Sequence, residues 1–503
     1  MKTFNRIWQL LFPLILAVLV MRPILGNVWY PMHDTTHVAR LFLMQETINR
    51  GEFPPLWAEG INNGLGYPLF HFYAPFFYYI ASAFTIFFGY FAGLKLAILL
   101  FIFFGLVGMM RLVSPWGRGA MLLAATLLAT SPYVAVDLYV RGAYSEVIAI
   151  FLFPLLLATW QDLSTRKSQV LAGAITAFFL MSHNLIPMLA FPIVVTYVLY
   201  QNRTNLRAVI LPSLITLLIA SCYLLPLFFE RNFVQADEVA KTSNYAQHFV
   251  MPWQLWNSTW GFGGSAAGVE DGMSFKIGKV QLALALIGSF WCLFKSKRAW
   301  QFVIFTIFTL FMTTPYSRDI WDKISLLQLA QFPWRYLALA APLLAIVGSS
   351  IVNLIPTRSV RAGVILVTVT LLLLLNLKYF TPQSTFPAQI TDFTNQNYLD
   401  TVADIIPEYM PRWMKVKIED EVPIFTHKEG ATTIARAYYP TWQVMLDGQK
   451  VPTYPDANGL LTIDNPYASD NIVYTQTHTR LQYLGYLLTL LGVSLTLYWL
   501  TKK

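Results

Sequence analysis

Hydrophobic positions in this chain form long, nearly continuous runs, and short polar connections separate them. A helix needs about 20 mostly apolar residues to cross a hydrocarbon core of about 30 Å. The runs predict spans at 7–25, 91–111, 119–137, 146–161, 169–184, 186–201, 208–229, 280–295, 299–314, 337–355, 362–380 and 481–500. The pattern therefore predicts an all-α polytopic membrane protein with about twelve transmembrane helices.

One further apolar run, 67–89, is interpreted differently. It is rich in Phe and Tyr and contains Pro68 and Pro75, which is typical of interfacial segments. If it crossed the membrane, every later connection would change sides. We therefore expect it to lie on the membrane or within it without crossing.

Basic residues give the orientation, because cytoplasmic connections carry an excess of Lys and Arg. With 67–89 not crossing, one side receives Lys2, Arg6, Arg111, Arg118, Arg166, Lys167, Arg203, Arg207, Lys295, Lys297, Arg298, Arg358, Arg361, Lys502 and Lys503. We predict that this side is the cytoplasm and that both termini lie there, the first helix being retained. The predicted external segments are 26–90, 138–145, 230–279, 315–336 and 381–480.

Residues 381–480 have a different pattern from the rest of the chain. The stretches WMKVKIEDEVPIF, TTIARAYYPTWQVMLDGQKVPTY and GLLTIDNPY alternate over short distances, with Asp-Gly, Asn-Gly and Pro between them. Such spacing is typical of β-hairpins. We predict a transmembrane module over 1–380, a small extracytoplasmic β-rich domain over 381–480 with 385–410 partly helical, and a last helix with its tail over 481–503.

Composition excludes a soluble class and a nucleic-acid partner. The 503 residues are 56% hydrophobic and 12% charged, with a mean hydropathy of +0.51. The net charge of +9 does not indicate nucleic acid, because Lys and Arg punctuate the ends of apolar runs. Cys222 and Cys292 both lie in apolar runs and predict neither a disulfide framework nor a metal site.

The stretch MHDTTHVARL, residues 32–41, places Asp34 between His33 and His37, just beyond the first span. Apolar residues after it recur at helical spacing and predict an amphipathic surface helix. Asp34 is either the N-cap of that helix or a functional carboxylate, and the two roles are compatible. His33 and His37 are weak candidates for a metal site, against a hydrogen-bonding role.

Three more polar clusters fall on the same predicted side. DLYVRGAYSE packs Asp137, Arg141 and Glu146 into one connection, either as a functional set or as a surface ion pair of little value. MSHNLIP places His183 and Asn184 at the outer end of an apolar hairpin, where they are either substrate-binding residues or structural ones. LQLAQFPWRY ends in Arg335, which suits a bidentate phosphate contact or an anchor at the lipid headgroups.

Several stretches resemble a known family of integral membrane proteins. GEFPPLWAEGINNGLGYPLFHFYAPFFYYIA, LYVRGAYSEVIA, SHNLIP, QFPWRYL and AYYPTWQVMLDGQKV look like the proteins called 6-pyruvoyl-tetrahydropterin-synthase-related. The resemblance extends from about residue 30 to about residue 490. The soluble pterin enzyme binds zinc through three histidines, and the sequence contains no such set.

The layout is also similar to the glycosyltransferase class C (GT-C) superfamily, in which an acidic residue begins the first external loop. That resemblance implies that Asp34 is the base or a metal ligand, and that Asp137 or Glu146 is the acid of the second loop. Neither loop contains an Asp-X-Asp pair. We therefore expect no required cofactor and leave a divalent metal open.

Transfer of a sugar from a polyprenyl-phosphate donor fits these residues. The phosphate leaving group needs a cation, and the acceptor hydroxyl needs a carboxylate to take its proton. Asp34 suits the second role and Arg335 or Arg141 the first. His71 and Tyr73 are predicted to line the path of the lipid chain or to stack on a sugar.

The sequence therefore favours a GT-C-like glycosyltransferase at the outer face of the cytoplasmic membrane, with a lipid-linked donor and membrane lipid as partners. The alternatives are a lipid scramblase or flippase, and a non-catalytic assembly factor of envelope polysaccharide synthesis. A coupled transporter usually carries ionisable groups at the membrane midplane, and the middles of the predicted spans hold no Asp, Glu, Lys or Arg. The sugar, the acceptor and the oligomeric state are not defined by the sequence.

Overall fold

The structure is a computed structural model that describes residues 4–236, 244–296, 299–414 and 423–502. Four residues used for the orientation lie outside the described residues, namely Lys2, Lys297, Arg298 and Lys503. The fold is mostly helical and carries a small β-rich unit near its C-terminal end.

A helix occupies each of the predicted spans. These helices are Phe4–Met21, Tyr90–Leu112, Arg118–Ala129, Tyr144–Thr159, Arg166–Leu180, Ile186–Gln201, Arg207–Phe229, Lys279–Phe294, Trp300–Met312, Leu337–Ser349, Arg358–Asn376 and Arg480–Thr501. Shorter helices over described external residues are His37–Asn49, Pro252–Trp256, Arg318–Lys323 and Ser325–Gln328.

Seven described segments are long and apolar enough to cross a membrane by themselves. They are Ile7–Ile24, Tyr90–Leu112, Arg118–Arg141, Arg207–Phe229, Pro333–Leu354, Arg358–Tyr379 and Arg480–Thr501. The remaining helices in predicted spans have 13 to 16 residues, so at 1.5 Å per residue they rise less than about 25 Å. The count of twelve spans therefore stays a prediction.

The run at 67–89 is divided into Leu69–Phe72 and Phe76–Phe88. Pro75 is the residue before the second helix. Gly89, at φ +79°, then reverses the chain so that Phe76–Phe88 packs on Tyr90–Leu112. A left-handed residue at this reversal favours glycine, which carries no Cβ. The prediction that this run does not cross the membrane remains a prediction.

The span predicted at 119–137 is not one continuous helix, and its boundary with the loop predicted at 138–145 stays a prediction. After Arg118–Ala129 the chain forms a short helix, Pro132–Ala135, and then a wide π-helical turn, Val136–Arg141. Residues 138–141 are therefore helical. The turn ends at Gly142, at φ +64°, and it brings Asp137 and Arg141 to the same side of the chain.

Two antiparallel sheets form the β-rich unit, as the alternating pattern predicts. Its strands are β1 (Phe425–Lys428), β2 (Ala431–Ala437), β3 (Trp442–Leu446), β4 (Gln449–Val451), β5 (Tyr454–Pro455), β6 (Leu460–Asp464) and β7 (Ile472–Gln476). The sheet orders are β1-β2-β6-β5 and β4-β3-β7. Helices Thr391–Thr394 and Gln396–Ile405 confirm the helical character expected before the strands.

The β-rich unit packs directly on the first external loop. The ring of Trp57 lies 5.2 Å from that of Trp442 and 5.9 Å from that of Tyr439. The backbone N–H of Ala437 donates to Leu65 O at 3.1 Å. These contacts bring the β-rich unit over the same end of the helices as the polar clusters.

Candidate active site

Asp34 lies where the first external loop runs beside the second. The backbone N–H groups of His33 and Asp34 donate to Val140 O at 3.1 Å and to Arg141 O at 2.8 Å. Two clusters that are about 100 residues apart in sequence are therefore joined by backbone hydrogen bonds. Asp34 is not the N-cap of the following helix, because Thr36 occupies that position.

The Asp34 carboxylate lies beside the guanidinium of Arg40 and the imidazole of His37. Its Oδ2 lies 3.6 Å from Arg40 Nη1 and 3.5 Å from His37 Nε2, and Thr36 Oγ1 donates to its Oδ1 at 2.7 Å. Burial raises the pKa of Asp34, but the charges of Arg40 and His37 and the hydrogen bonds from Thr36 outweigh it and lower the pKa to about 2. The side chain is still 28% exposed and is ionised at neutral pH.

The two histidines of this stretch have hydrogen-bonding partners within the protein. Nδ1 of His37 lies 2.7 Å from Tyr78 Oη and Nε2 lies 2.5 Å from Gly142 O. His33 Nε2 lies 3.0 Å from Phe262 O. Across the described ranges no group of three or more His, Cys, Asp or Glu could hold a metal ion. Both nitrogens of His37 are used by the protein, so a hydrogen-bonding role fits it better.

Arg141 is the centre of a buried ion network. Its Nη1 donates to Asp137 Oδ1 and lies 3.0 Å from Glu146 Oε2, while Tyr133 Oη donates to Glu146 Oε1 at 2.8 Å. The side chains of Asp137 and Glu146 have no exposed surface. The interpretation of Arg141 and Glu146 as a surface pair is therefore wrong, because both lie inside the protein.

Arg335 reaches the same network from the start of a span. The guanidinium of Arg141 lies 4.5 Å from the ring of Trp334, and that of Arg335 lies 5.9 Å from the same ring. The charge of Arg335 acts on Glu146 and Asp137, yet within the described residues its side chain forms no ion pair or hydrogen bond. Arg335 is thus a cation at this site that no described carboxylate pairs with.

His183 and Asn184 are brought beside the network but have different surroundings. His183 Nδ1 accepts from two backbone N–H groups at the start of the next helix, and its Nε2 lies 3.9 Å from Glu146 Oε2. Asn184 Oδ1 accepts from Tyr223 Oη and from a backbone N–H, and its Nδ2 donates to Tyr409 Oη and to a backbone carbonyl. Asn184 therefore links three separate segments beside the network through hydrogen bonds.

Tyr73 belongs to the site and His71 does not. The Tyr73 ring lies 4.3 Å from the Arg40 guanidinium carbon. His71 Nε2 lies 2.8 Å from Glu230 Oε2 and 3.1 Å from Gln482 Nε2. This buried network ties the short helix Leu69–Phe72 to the last helix, so we now interpret His71 as structural.

Two residues of the site were not predicted from the sequence. Arg40 is one helical turn after His37 in the same stretch, and that spacing could have identified it. Glu408 has no comparable signal, because it follows the helix Gln396–Ile405 of the external domain. Its charge interacts with those of Arg40, Asp34 and Arg335.

A sequence profile of the 6-pyruvoyl-tetrahydropterin synthase related domain, described as a membrane protein, matches residues 70–382. The chain belongs to this family. The segment that matches the 6-pyruvoyl-tetrahydropterin synthase related profile contains Tyr73, Arg141, Glu146 and Arg335, whereas Asp34 lies before it.

No curated protein matches this chain. Among solved structures, the chain is similar to the arabinofuranosyltransferase AftD from mycobacteria, with a TM-score of 0.46 and 16% sequence identity. The similarity covers 76% of this chain and 29% of the AftD chain, so the chain spans less than a third of that protein.

Proposed function

We propose that this protein is a membrane glycosyltransferase. It moves a sugar from a polyprenyl-phosphate-linked donor to an envelope acceptor, at the outer face of the cytoplasmic membrane. The observation that supports the proposal most is the convergence of Asp34, Arg141, Glu146 and Arg335 from three separate external segments. A structural membrane protein gains little from collecting buried charges at one place, because each costs desolvation energy.

Arg335 is proposed to bind the donor phosphate. It faces the network without an ion-pair partner in the described part of the chain, and a planar guanidinium suits two phosphate oxygens. Arg141 already forms ion pairs with Asp137 and Glu146, so its charge acts on the phosphate at longer range. Both cations stabilise the negative charge that develops as the phosphate leaves.

Asp34 is proposed to take the proton of the acceptor. The acceptor oxygen bonds to the anomeric carbon, the bond from that carbon to the phosphate oxygen breaks, and the configuration inverts. The proton passes to Asp34, and the phosphate leaves as an anion. A carboxylate with a pKa of about 2 suffices as base because the acceptor hydroxyl becomes strongly acidic as its oxygen bonds to carbon.

Purified protein in liposomes tests this proposal, with radiolabelled polyprenyl-phosphate sugars as donors and crude envelope material as acceptor. We expect wild type to transfer label and Asp34→Asn to lose at least about a hundredfold in rate, within the contribution of a general base. Asp470→Asn is the control, because Asp470 is 84% exposed on the external domain. A chelator arm decides whether a divalent metal takes part.

If no donor in the panel is used by wild type, the glycosyltransferase proposal fails. Equal transfer by wild type and Asp34→Asn would instead indicate that the general base is Glu146 or Asp137. An external domain that is essential while Asp34 is dispensable would favour an assembly factor.

A further inference from the structure

The segment that carries Glu408 is fixed to the membrane-proximal part of the site. Tyr67 Oη donates to Ile406 O at 3.4 Å, and Asn184 Nδ2 donates to Tyr409 Oη at 3.1 Å. The rings of Tyr409 and Tyr73 meet edge-on at 5.8 Å. Glu408 therefore lies between two anchored neighbours, beside the tyrosine that covers Arg40.

Glu408 differs from the other carboxylates of the site because it has no cation of its own. Asp34 has Arg40 and His37 within 4 Å, and Arg141 serves Glu146. Within the described ranges Glu408 forms no such ion pair, although the charges of Arg40, Asp34 and Arg335 act on it. Burial raises the pKa of its carboxyl group. A half-buried carboxyl group that no described residue pairs with is available to a ligand.

The charges around Glu408 indicate which chemical class of ligand it can bind. A carboxylate repels the donor phosphate, and Arg40 nearby repels a cationic acceptor. A neutral hydroxyl group donates one hydrogen bond, so two adjacent hydroxyl groups can each donate to one carboxylate without either penalty. Adjacent hydroxyl groups of a sugar offer this arrangement to Asp34 and Glu408 together.

We propose that Glu408 binds the acceptor, and that the acceptor is a saccharide whose hydroxyl donates to Glu408 beside the hydroxyl that Asp34 deprotonates. The external domain thus supplies an acceptor-binding residue, while Arg335 serves the donor. This inference rests on the proposed glycosyltransferase function.

Steady-state kinetics of Glu408→Gln test the inference, with the best donor of the liposome assay and octyl glycosides or delipidated envelope glycan as acceptors. Loss of a hydrogen bond to a charged group raises the acceptor KM about tenfold or more. We expect the donor KM to stay within about twofold, because Glu408→Gln leaves Arg335, the proposed phosphate ligand, in place. Glu429→Gln is the matched control, since Glu429 is exposed on the same domain.

Three results would overturn the inference. The first is an unchanged acceptor KM in Glu408→Gln with an active wild type, which leaves the glycosyltransferase proposal intact. The second is an equal rise in both KM values with a lower Tm, which indicates a structural role. The third is transfer to phosphatidylethanolamine but to no saccharide. A wild type that transfers nothing contradicts the proposed function itself, and this inference falls with it.

Discussion

Arg141 illustrates how single residues shape this site. Its guanidinium neutralises Asp137 and Glu146, neither of which has exposed surface. Without that cation the two buried carboxylates would keep only the longer-range charge of Arg335 to offset their own. Arg141 is therefore needed for the stability of the folded protein, and it also supplies positive charge near the proposed phosphate site.

Replacement of Arg141 by Met should lower the free energy of unfolding by about 3–5 kcal/mol, the usual cost of removing one partner of a buried ion pair. Thermal unfolding in detergent measures the change, with Arg203→Met as control because Arg203 is exposed in a connection. Adding Asp137→Asn and Glu146→Gln to Arg141→Met should recover part of the loss. Equal stability of Arg141→Met and wild type would contradict the buried network.

The sequence singled out the correct residue types at this scale, but it did not reveal their partners. Asp34, Glu146 and Arg335 stood out because charges at the edge of apolar runs are costly. That Asp34 pairs with Arg40, and that Glu408 approaches both, depends on contacts between distant segments. Local pattern carries no information about such contacts, so Glu408 was missed.

At the scale of elements, two helices pack closely because one of them carries glycines at the interface. A Cβ on Gly105 would lie 2.3 Å from Phe151 Cβ, and one on Gly108 would lie 2.5 Å from Leu155 Cα. The helix Tyr90–Leu112 therefore approaches Tyr144–Thr159 nearly backbone to backbone. The second of these helices starts two residues before Glu146, so this packing positions the ion network.

Gly105→Val should separate the two helices and lower both the Tm and the transfer rate, because the added side chain overlaps the backbone of Phe151. Overpacking of this kind costs about 1–3 kcal/mol or more. Gly363→Val is the matched control, since a Cβ there meets nothing within 4 Å. An equal Tm for the Gly105 and Gly363 variants would contradict the close helix contact.

Helix positions followed from the sequence because an apolar run long enough to cross a membrane has few alternatives to a helix. The break in the helix after Ala129 was not predicted from the sequence. Pro132 is a visible signal, but the π-helical turn depends on Gly142 and on the pairing of Asp137 with Arg141. Those features only become apparent once the first loop is packed against the turn.

At the scale of the whole molecule, the first external loop, the second loop and the external domain form one body over the ends of the helices. Trp57 packs between Tyr439 and Trp442, and Tyr398 Oη donates to Thr35 O at 2.9 Å. The alternating pattern predicted the β-strands, whereas their docking on the first loop depends on tertiary packing. This docking brings Tyr409, the residue after Glu408, against Tyr73 of the site, so the proposed site is complete only in the folded whole.

The central claim is that this body carries out chemistry on a lipid-linked sugar and does not merely move it. The most direct measurement is mass spectrometry of lipids from liposomes that contain purified wild type, a polyprenyl-phosphate sugar and a saccharide acceptor. The account predicts acceptor-dependent formation of polyprenyl phosphate, one molecule for each glycosylated acceptor, and none with Asp34→Asn. Movement of intact donor between leaflets without any polyprenyl phosphate would contradict the account and indicate a scramblase.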